Sequence, residues 1–307
     1  MAAVRPEACR SDAAGQRTAK MKAAGRKAQI RMTVLCDQAL SLPDAGLDTD
    51  LIPADARNLA YRAAQLLMEE FGIRQELEII LKKRIPAAAG LAGGSADAAA
   101  VLVGVNELFG LNLTMKELME RGLNIGADVP YCIMRGTALA EGIGERLTRL
   151  PNAPDAYVVL AKPPVAVSTK FVYSNLKLEG EPRDGSSDPE RRGDGRIRHP
   201  DTDGQVQAIR DGDRYRMASL MGNVLETVTI PSFPVIREIK GQMLQSGAVN
   251  AMMSGSGPTV FGLFDDREKA ELAYDKLKRG NLAREVFLTT FFHPHESVNR
   301  TALEENR

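Results

Sequence analysis

Between residues 58 and 71 the side chains of Leu59, Ala63, Leu66, Leu67 and Phe71 recur at helical spacing, and Gly72 stands where a left-handed residue ends a helix. ELEIILKK (76–83) is a short β-rich run. After a glycine-rich turn, Ser95–Phe109 places Ala98, Val101, Leu102, Val105 and Leu108 on one helical face. Thr114 with Glu117 three residues later predicts a capping box ahead of Leu118 and Met119. AYVVLAK (156–162) reads as a buried strand closed by Pro163 and Pro164, and Thr169 is placed to cap a short helix through Tyr173. Further on, Arg214–Thr227 and Pro234–Leu244 read as helices, the second closed near Gly247. Val249–Met253 and Thr259–Phe264 read as strands around a tight SGSGP turn, Arg267–Lys278 as an amphipathic helix, and Glu285–Phe291 as a last strand. Strands and helices mix without a regular βαβ beat. The pattern therefore predicts α+β with a mixed or antiparallel sheet, not a doubly wound one.

Two segments lack a core pattern. Residues 1–28 hold nine Ala, seven Lys or Arg and two acids. With no apolar stretch they are not a signal peptide; an Arg-rich, acid-poor transit segment stays open beside the adopted reading of a disordered basic arm. In residues 179–198 eleven of twenty side chains are charged, which predicts a mobile surface loop.

Composition then narrows the function. Forty basic and forty acidic residues give zero formal net charge, which argues against a nucleic-acid partner. No apolar run approaches the ~18 residues of a membrane span. Three widely spaced cysteines, Cys9, Cys36 and Cys132, fit neither a disulfide framework nor a zinc site, so a reducing, cytoplasmic setting is expected. The three histidines sit in polar or proline-flanked stretches, and no metal ligands are assigned.

Candidate chemistry lies in three stretches. Pro86, Ala87, Ala88, Ala89, Gly90, Leu91, Ala92, Gly93, Gly94, Ser95 and Ala96 join a predicted strand to a predicted helix. Glycines at 90, 93 and 94 free the backbone for positive φ and close approach, and the helix start directs unpaired N–H groups into the loop, as a phosphate site requires. The spacing is neither a Walker loop nor a Rossmann fingerprint. Equally, such a run serves as a plain turn into a helix packed by small residues. In Gly126–Leu147, Asp128 stands before Val129-Pro130. Its carboxylate would orient or deprotonate a hydroxyl, or simply cap a turn. Glu141, Gly142 and Gly144 suit a flexible acidic loop or a hairpin turn. Ser254, Gly255, Ser256 and Gly257 suit an anion nest or a hairpin turn.

Together these blocks resemble the GHMP kinases. Pro86–Ser95 matches the family's phosphate loop position by position, and Gly126–Pro130, Arg135–Glu145 and Ser254–Thr259 match its later blocks. RNLAYRAA (57–64) and MGNVLETVT (221–229) are also similar to members. The resemblance implies a two-lobed fold: a nucleotide-binding domain over 29–155 and a second domain over 156–307 that carries the charged loop. It implies an ATP- and Mg²⁺-dependent kinase with Asp128 as the catalytic carboxylate and residues 86–96 on ATP. Asn58, Lys83 and Ser254–Gly257 are implied as nucleotide or substrate contacts. The implied acceptor is a small molecule, the 2-hydroxyl of a cytidine-diphosphate-linked methylerythritol in mevalonate-independent isoprenoid synthesis, acted on by a monomer or homodimer.

One departure is plain. The family's opening Pro-x-Lys-Ile-Asn-Leu strand and its Arg-x-Asp-Gly-Tyr-His segment are absent, and the loss of its first strands is the expectation that follows. The resemblance pairs that Lys with the catalytic Asp, and assigns the Tyr and His to the cytosine end. Lys20, Lys22 and Lys27 lie in no matching context, and none takes the role. A misread gene start, a frameshift or a degenerate copy would each produce this. Two alternatives follow: a catalytically weak nucleotide-binding remnant, and a family member acting on homoserine or mevalonate. Gly93-Gly94-Ser95 and Gly126–Pro130 argue against the second.

Overall fold

Leu77, Ile79, Leu81 and Lys83 alternate with exposed Glu78, Ile80 and Lys82, the period-two pattern of a sheet with one buried face. The computed structural model describes residues 2–3, 29–36, 52–176 and 199–294. Apart from Ala2–Ala3, the basic arm lies outside the described residues, as does the whole 179–198 loop.

The chain forms two units, the first from Met1–Ala87, Ala92–Arg135 and Glu141–Glu145, the second from Ala88–Leu91, Gly136–Ala140 and Arg146–Arg307. In the first unit three strands, β1 (Ala2–Ala3), β2 (Ile30–Cys36) and β3 (Leu77–Lys83), lie in the order β1-β3-β2. β2 is parallel to β3 with Ile30 opposite Leu77, and β1 is antiparallel to it with Ala2 opposite Leu81. Four helices, α1 (Leu59–Glu70), α2 (Gly93–Leu108), α3 (Met115–Leu123) and α4 (Val129–Met134), complete the unit. Leu67, Met68, Ile79, Leu81, Leu102, Leu118 and Val129 share one buried cluster. The predicted capping box opens α3, with Thr114 and Glu117 each accepting from or reaching back to the other's backbone. β2 and α4 correct the sequence reading, which assigned neither.

Next come the hairpin β4 (Ala138–Glu141) and β5 (Arg146–Arg149), then β6 (Tyr157–Lys162). In the second unit α5 (Thr169–Asn175), α6 (Thr202–Arg210), α7 (Arg214–Ser219), α8 (Glu226–Ser232) and α9 (Val235–Gln245) precede β7 (Asn250–Met253) and β8 (Val260–Phe264), with α10 (Arg267–Arg279) and β9 (Glu285–Thr290) last. The sheet order is β7-β8-β6-β9, with every neighbouring pair antiparallel. Helix α10 crosses from β8 to β9 with β6 between them, a split β-α-β arrangement of the ferredoxin-like kind. Val159 and Ala161 of β6 pack in one cluster with Ile236, Ile239, Met243, Ala273 and Leu277. Val158 packs in another with Ala208, Met217 and Leu263. Cover on both faces is why β6 reads as a continuous apolar run instead of an alternation.

Two further readings are corrected. Ser168, not Thr169, caps α5, its hydroxyl accepting from the Phe171 N–H at 3.3 Å. Arg214–Thr227 is not one helix but α7 and the start of α8, separated by 220–225.

Candidate active site

The stretch between β3 and α2 is held at Pro86 and Ala89, both buried, while Ala88 and Gly90 are exposed. Three of its residues take left-handed backbone: Ala88 and Ala92 at φ +49° and Gly90 at φ +70°. An L-residue there costs about 1 kcal/mol or more, and such strain persists where the surroundings impose it. Helix α2 starts at Gly93, two residues earlier than predicted, and Ala92 offers no side-chain cap. The N–H groups of its first turn are therefore left for another acceptor, and with the helix dipole they form a ready anion cradle.

At two positions the glycine does not serve a positive φ. Gly93 and Gly94 are helical and have no positive φ. Gly93 is required by what lies behind it: a Cβ there would stand 2.9 Å from Ile85 Cγ2 and 3.3 Å from Lys83 Nζ. At Gly94 a Cβ would meet only Leu59 Cδ1, at 3.5 Å. Lys83 closes the buried face of β3, is 4% exposed, and donates to Asp97 Oδ2 on α2 at 2.5 Å. This pair ties the strand end to the helix start across the loop. Asp97 was not singled out from sequence; its place one turn into α2, opposite an inward-facing Lys, was the available signal.

Asp128 occupies the N-cap position of α4, yet its side chain makes no capping hydrogen bond. The turn-capping alternative is thereby removed. Its carboxylate is exposed, and among the described residues no Lys or Arg is paired with it. Ser95 Oγ lies 3.9 Å from the Cβ position of Gly126, two residues before Asp128. Gly144, at φ +111°, would bring a Cβ within 3.6 Å of the Ala127 carbonyl, so the β4–β5 turn borders the same segment. Burial first, then the carboxylates of Asp128 and Asp97, push the Cys132 thiol up to about 11. Both acids therefore act on a single half-buried thiol. Asn58 caps α1: its Oδ1 accepts from the Ala60 N–H at 3.0 Å and its Nδ2 donates to the Pro53 carbonyl at 2.8 Å.

In the second unit, Ser254–Gly257 turns between β7 and β8. The Ser254 N–H donates to the Thr259 carbonyl at 2.8 Å and the Gly257 N–H to the Ser254 carbonyl at 2.9 Å. Ser254 Oγ donates to the Gly90 carbonyl at 2.8 Å. A Cβ on Gly90 would collide with the Ser254 carbonyl and stand 2.9 Å from that of Gly257. Ser256, buried, shares a 2.9 Å hydrogen bond with Thr169. The second unit thus brings Gly90 together with the third sequence block; the first brings together Lys83, Asp97 and Gly93, and sets Ser95 near Gly126, two residues before Asp128.

A two-unit α+β chain with an uncapped phosphate-type loop and an unengaged carboxylate defines a small-molecule phosphotransferase class. Known proteins agree. The family model described as the GHMP kinases N terminal domain matches residues 58–136, and GHMP kinases C terminal matches 205–282. The chain belongs to the GHMP kinase family. It is 50% identical over 252 residues, 81% of each chain, to the 4-diphosphocytidyl-2-C-methyl-D-erythritol kinase of Lachnoclostridium phytofermentans. To the enzyme of that name from Lachnospira eligens it is 46% identical over 89% of each chain. Among solved structures, a 4-(cytidine 5′-diphospho)-2C-methyl-D-erythritol kinase superposes with a TM-score of 0.63 at 28% identity, covering 87% of this chain and 84% of its own. A homoserine kinase from Cytophaga hutchinsonii superposes at 0.64 with 23% identity, covering 87% and 82%, and shows the fold alone. Among the described residues no helix is long and apolar enough to cross a membrane.

Proposed function

We propose that this chain transfers the γ-phosphoryl group of ATP to the 2-hydroxyl of 4-(cytidine 5′-diphospho)-2-C-methyl-D-erythritol, a step of mevalonate-independent isoprenoid synthesis in the cytoplasm. What carries this reading is an α2 start without a side-chain cap, in the same unit as an Asp128 side chain that makes no capping hydrogen bond. In this reading residues 86–96 hold the triphosphate through backbone N–H groups. Ser254–Gly257 supports Gly90 and offers further amides. Lys83 acts beneath Gly93, and Asn58 sets the start of α1. Asp128 orients the acceptor hydroxyl and accepts its proton as the new O–P bond forms and the bond from the γ-phosphorus to the bridging oxygen breaks, releasing ADP.

Phosphoryl transfer of this kind is mostly positioning and charge neutralisation, and a bound Mg²⁺ would supply part of the latter. Among the described residues no group of three or more His, Cys, Asp or Glu could hold a metal ion. Ser95 Oγ and the Asp128 carboxylate are the oxygens that would hold the ion, and one or two protein ligands are what Mg²⁺ takes beside a nucleotide.

Coupled ADP-release assays with the cytidyl substrate, homoserine and mevalonate test the reading. Turnover with the first supports it; turnover only with another, or nucleotide binding without turnover, overturns it. Asp128→Asn is expected to lower kcat by roughly 10² to 10⁴ with ATP affinity nearly unchanged. Because the side chain caps nothing, its urea midpoint should move by less than about 0.5 kcal/mol in stability. A variant that keeps its kcat removes Asp128 from the mechanism.

A further inference from the structure

Asn223 lies in the break between α7 and α8, where its side chain reaches the glycine turn. Its Nδ2 donates to the Met253 carbonyl and to the Gly255 carbonyl, each at 2.8 Å. Its Oδ1 accepts from the Leu225 N–H at 3.0 Å, which locks the amide orientation. One turn further, Glu226 accepts the Met253 N–H at 2.8 Å and pairs with Lys240 at 2.5 Å. Two side chains of this segment thus hold both backbone polar groups of Met253.

We propose that Asn223 is a positioning residue of the nucleotide site. This rests on the assignment of residues 86–96 and 254–257 to ATP. In a trans peptide the carbonyl of one residue and the N–H of the next point in opposite directions. The bond from Asn223 to the Gly255 carbonyl therefore aims the Ser256 N–H away from Asn223 and keeps that carbonyl turned from any anion facing the N–H. An anion nest needs this arrangement: amides toward the ligand, acceptor oxygens behind. The Asn223 bond to Met253 holds the other side of Ser254, whose hydroxyl supports Gly90. Asn223 never needs to touch the nucleotide; it acts through the turn.

Asn223→Asp keeps the shape of the side chain and removes both donors, while Asn223→Ala removes the shape as well. ATP affinity by titration calorimetry, the KM for ATP, kcat and the thermal midpoint are measured on both and on the unchanged chain. Both variants are expected to bind ATP tenfold or more weakly and to raise the KM for ATP correspondingly, with a smaller change in kcat and a cooperative thermal transition retained. ATP affinity unchanged in Asn223→Asp, while the unchanged chain binds ATP, overturns the positioning role alone. A purely structural role would lower the thermal midpoint and leave the KM for ATP unmoved, and that result also overturns it. If the unchanged chain binds no ATP, the underlying nucleotide assignment fails and the proposal falls with it.

Discussion

Among the described residues each unit buries a lysine beside a carboxylate, and the two pairs are built differently. Lys83 and Lys162 are 4% and 6% exposed, so both charges leave water to a similar degree. Lys83 reaches Asp97 at 2.5 Å and makes a hydrogen bond, whereas Lys162 stands 3.6 Å from Glu285, beyond hydrogen-bond range. Lys162 and Glu285 are direct cross-strand partners on β6 and β9, and Glu285 Oε2 is buried with no partner. Burial raises the Glu285 carboxyl above the ordinary range; the charges of Lys162 and Arg284 offset this only in part. Desolvating two ions is repaid only by close, hydrogen-bonded geometry. Burial alone therefore says little about what a charge pair contributes. The well-made pair is the one that joins the end of β3 to the start of α2, across the loop assigned to phosphate.

The largest effect should come from breaking the close pair. Lys83→Met leaves Asp97 without its partner in a largely buried position, and a loss of about 3 kcal/mol is expected. ATP affinity should fall with it, because the strand end and helix start are no longer tied. Urea denaturation and nucleotide titration measure the two effects separately. A stability change below about 1 kcal/mol would put the Lys83 pair in the same class as the Lys162 pair and dissolve the comparison.

How much of this was readable beforehand depends on whether the signal was local. The α1 period, the Thr114–Glu117 box and the β3 alternation are local, and the structure contains all three. β2 had a usable signal as well: Ile30, Met32 and Val34 alternate with exposed Arg31 and Thr33, but the preceding Ala- and basic-rich run obscured it. The break between α7 and α8 was not local. Arg214–Thr227 has helical content throughout, yet Asn223 bonds to carbonyls thirty residues away, and that tertiary demand overrides propensity. At the loop, the small residues were visible, but their division of labour was not. Alanines at 88 and 92 carry the left-handed backbone expected of glycines, and Gly93 is small because of Ile85 and Lys83.

That division gives a smaller, sign-dependent test. Gly93→Ala presses a methyl against Ile85 and the Lys83 ammonium and should cost about 1 to 3 kcal/mol as overpacking, weakening ATP binding as the pair shifts. Gly94→Ala meets only ordinary contact with Leu59 and should gain roughly 0.5 to 1 kcal/mol, since alanine loses less entropy in a helix. Adjacent glycines should thus respond with opposite sign in thermal melts. A gain at both would show that the Lys83 side of the loop has room after all.

The smallest effect lies in the looser pair and appears as a slope, not an offset. Glu285 has a carboxyl raised above its ordinary value of 4.5, chiefly by burial. A folded state with the higher pKa holds its proton more tightly than the unfolded chain. Its stabilising contribution is thus fully present below the unfolded pKa and is lost as pH rises through the folded one. Glu285→Gln removes this titration. Any pH-independent cost of the variant drops out when stability differences are compared across pH. From about pH 4.5 upward, the unchanged chain should lose stability relative to Glu285→Gln, and the difference should level off once the folded carboxyl has ionised. Urea midpoints of both chains between about pH 4 and 8 read the effect directly. A flat difference, or one that grows in favour of the unchanged chain, would mean that Lys162 compensates the buried carboxylate fully, and that the two lysine pairs are equivalent despite their distances.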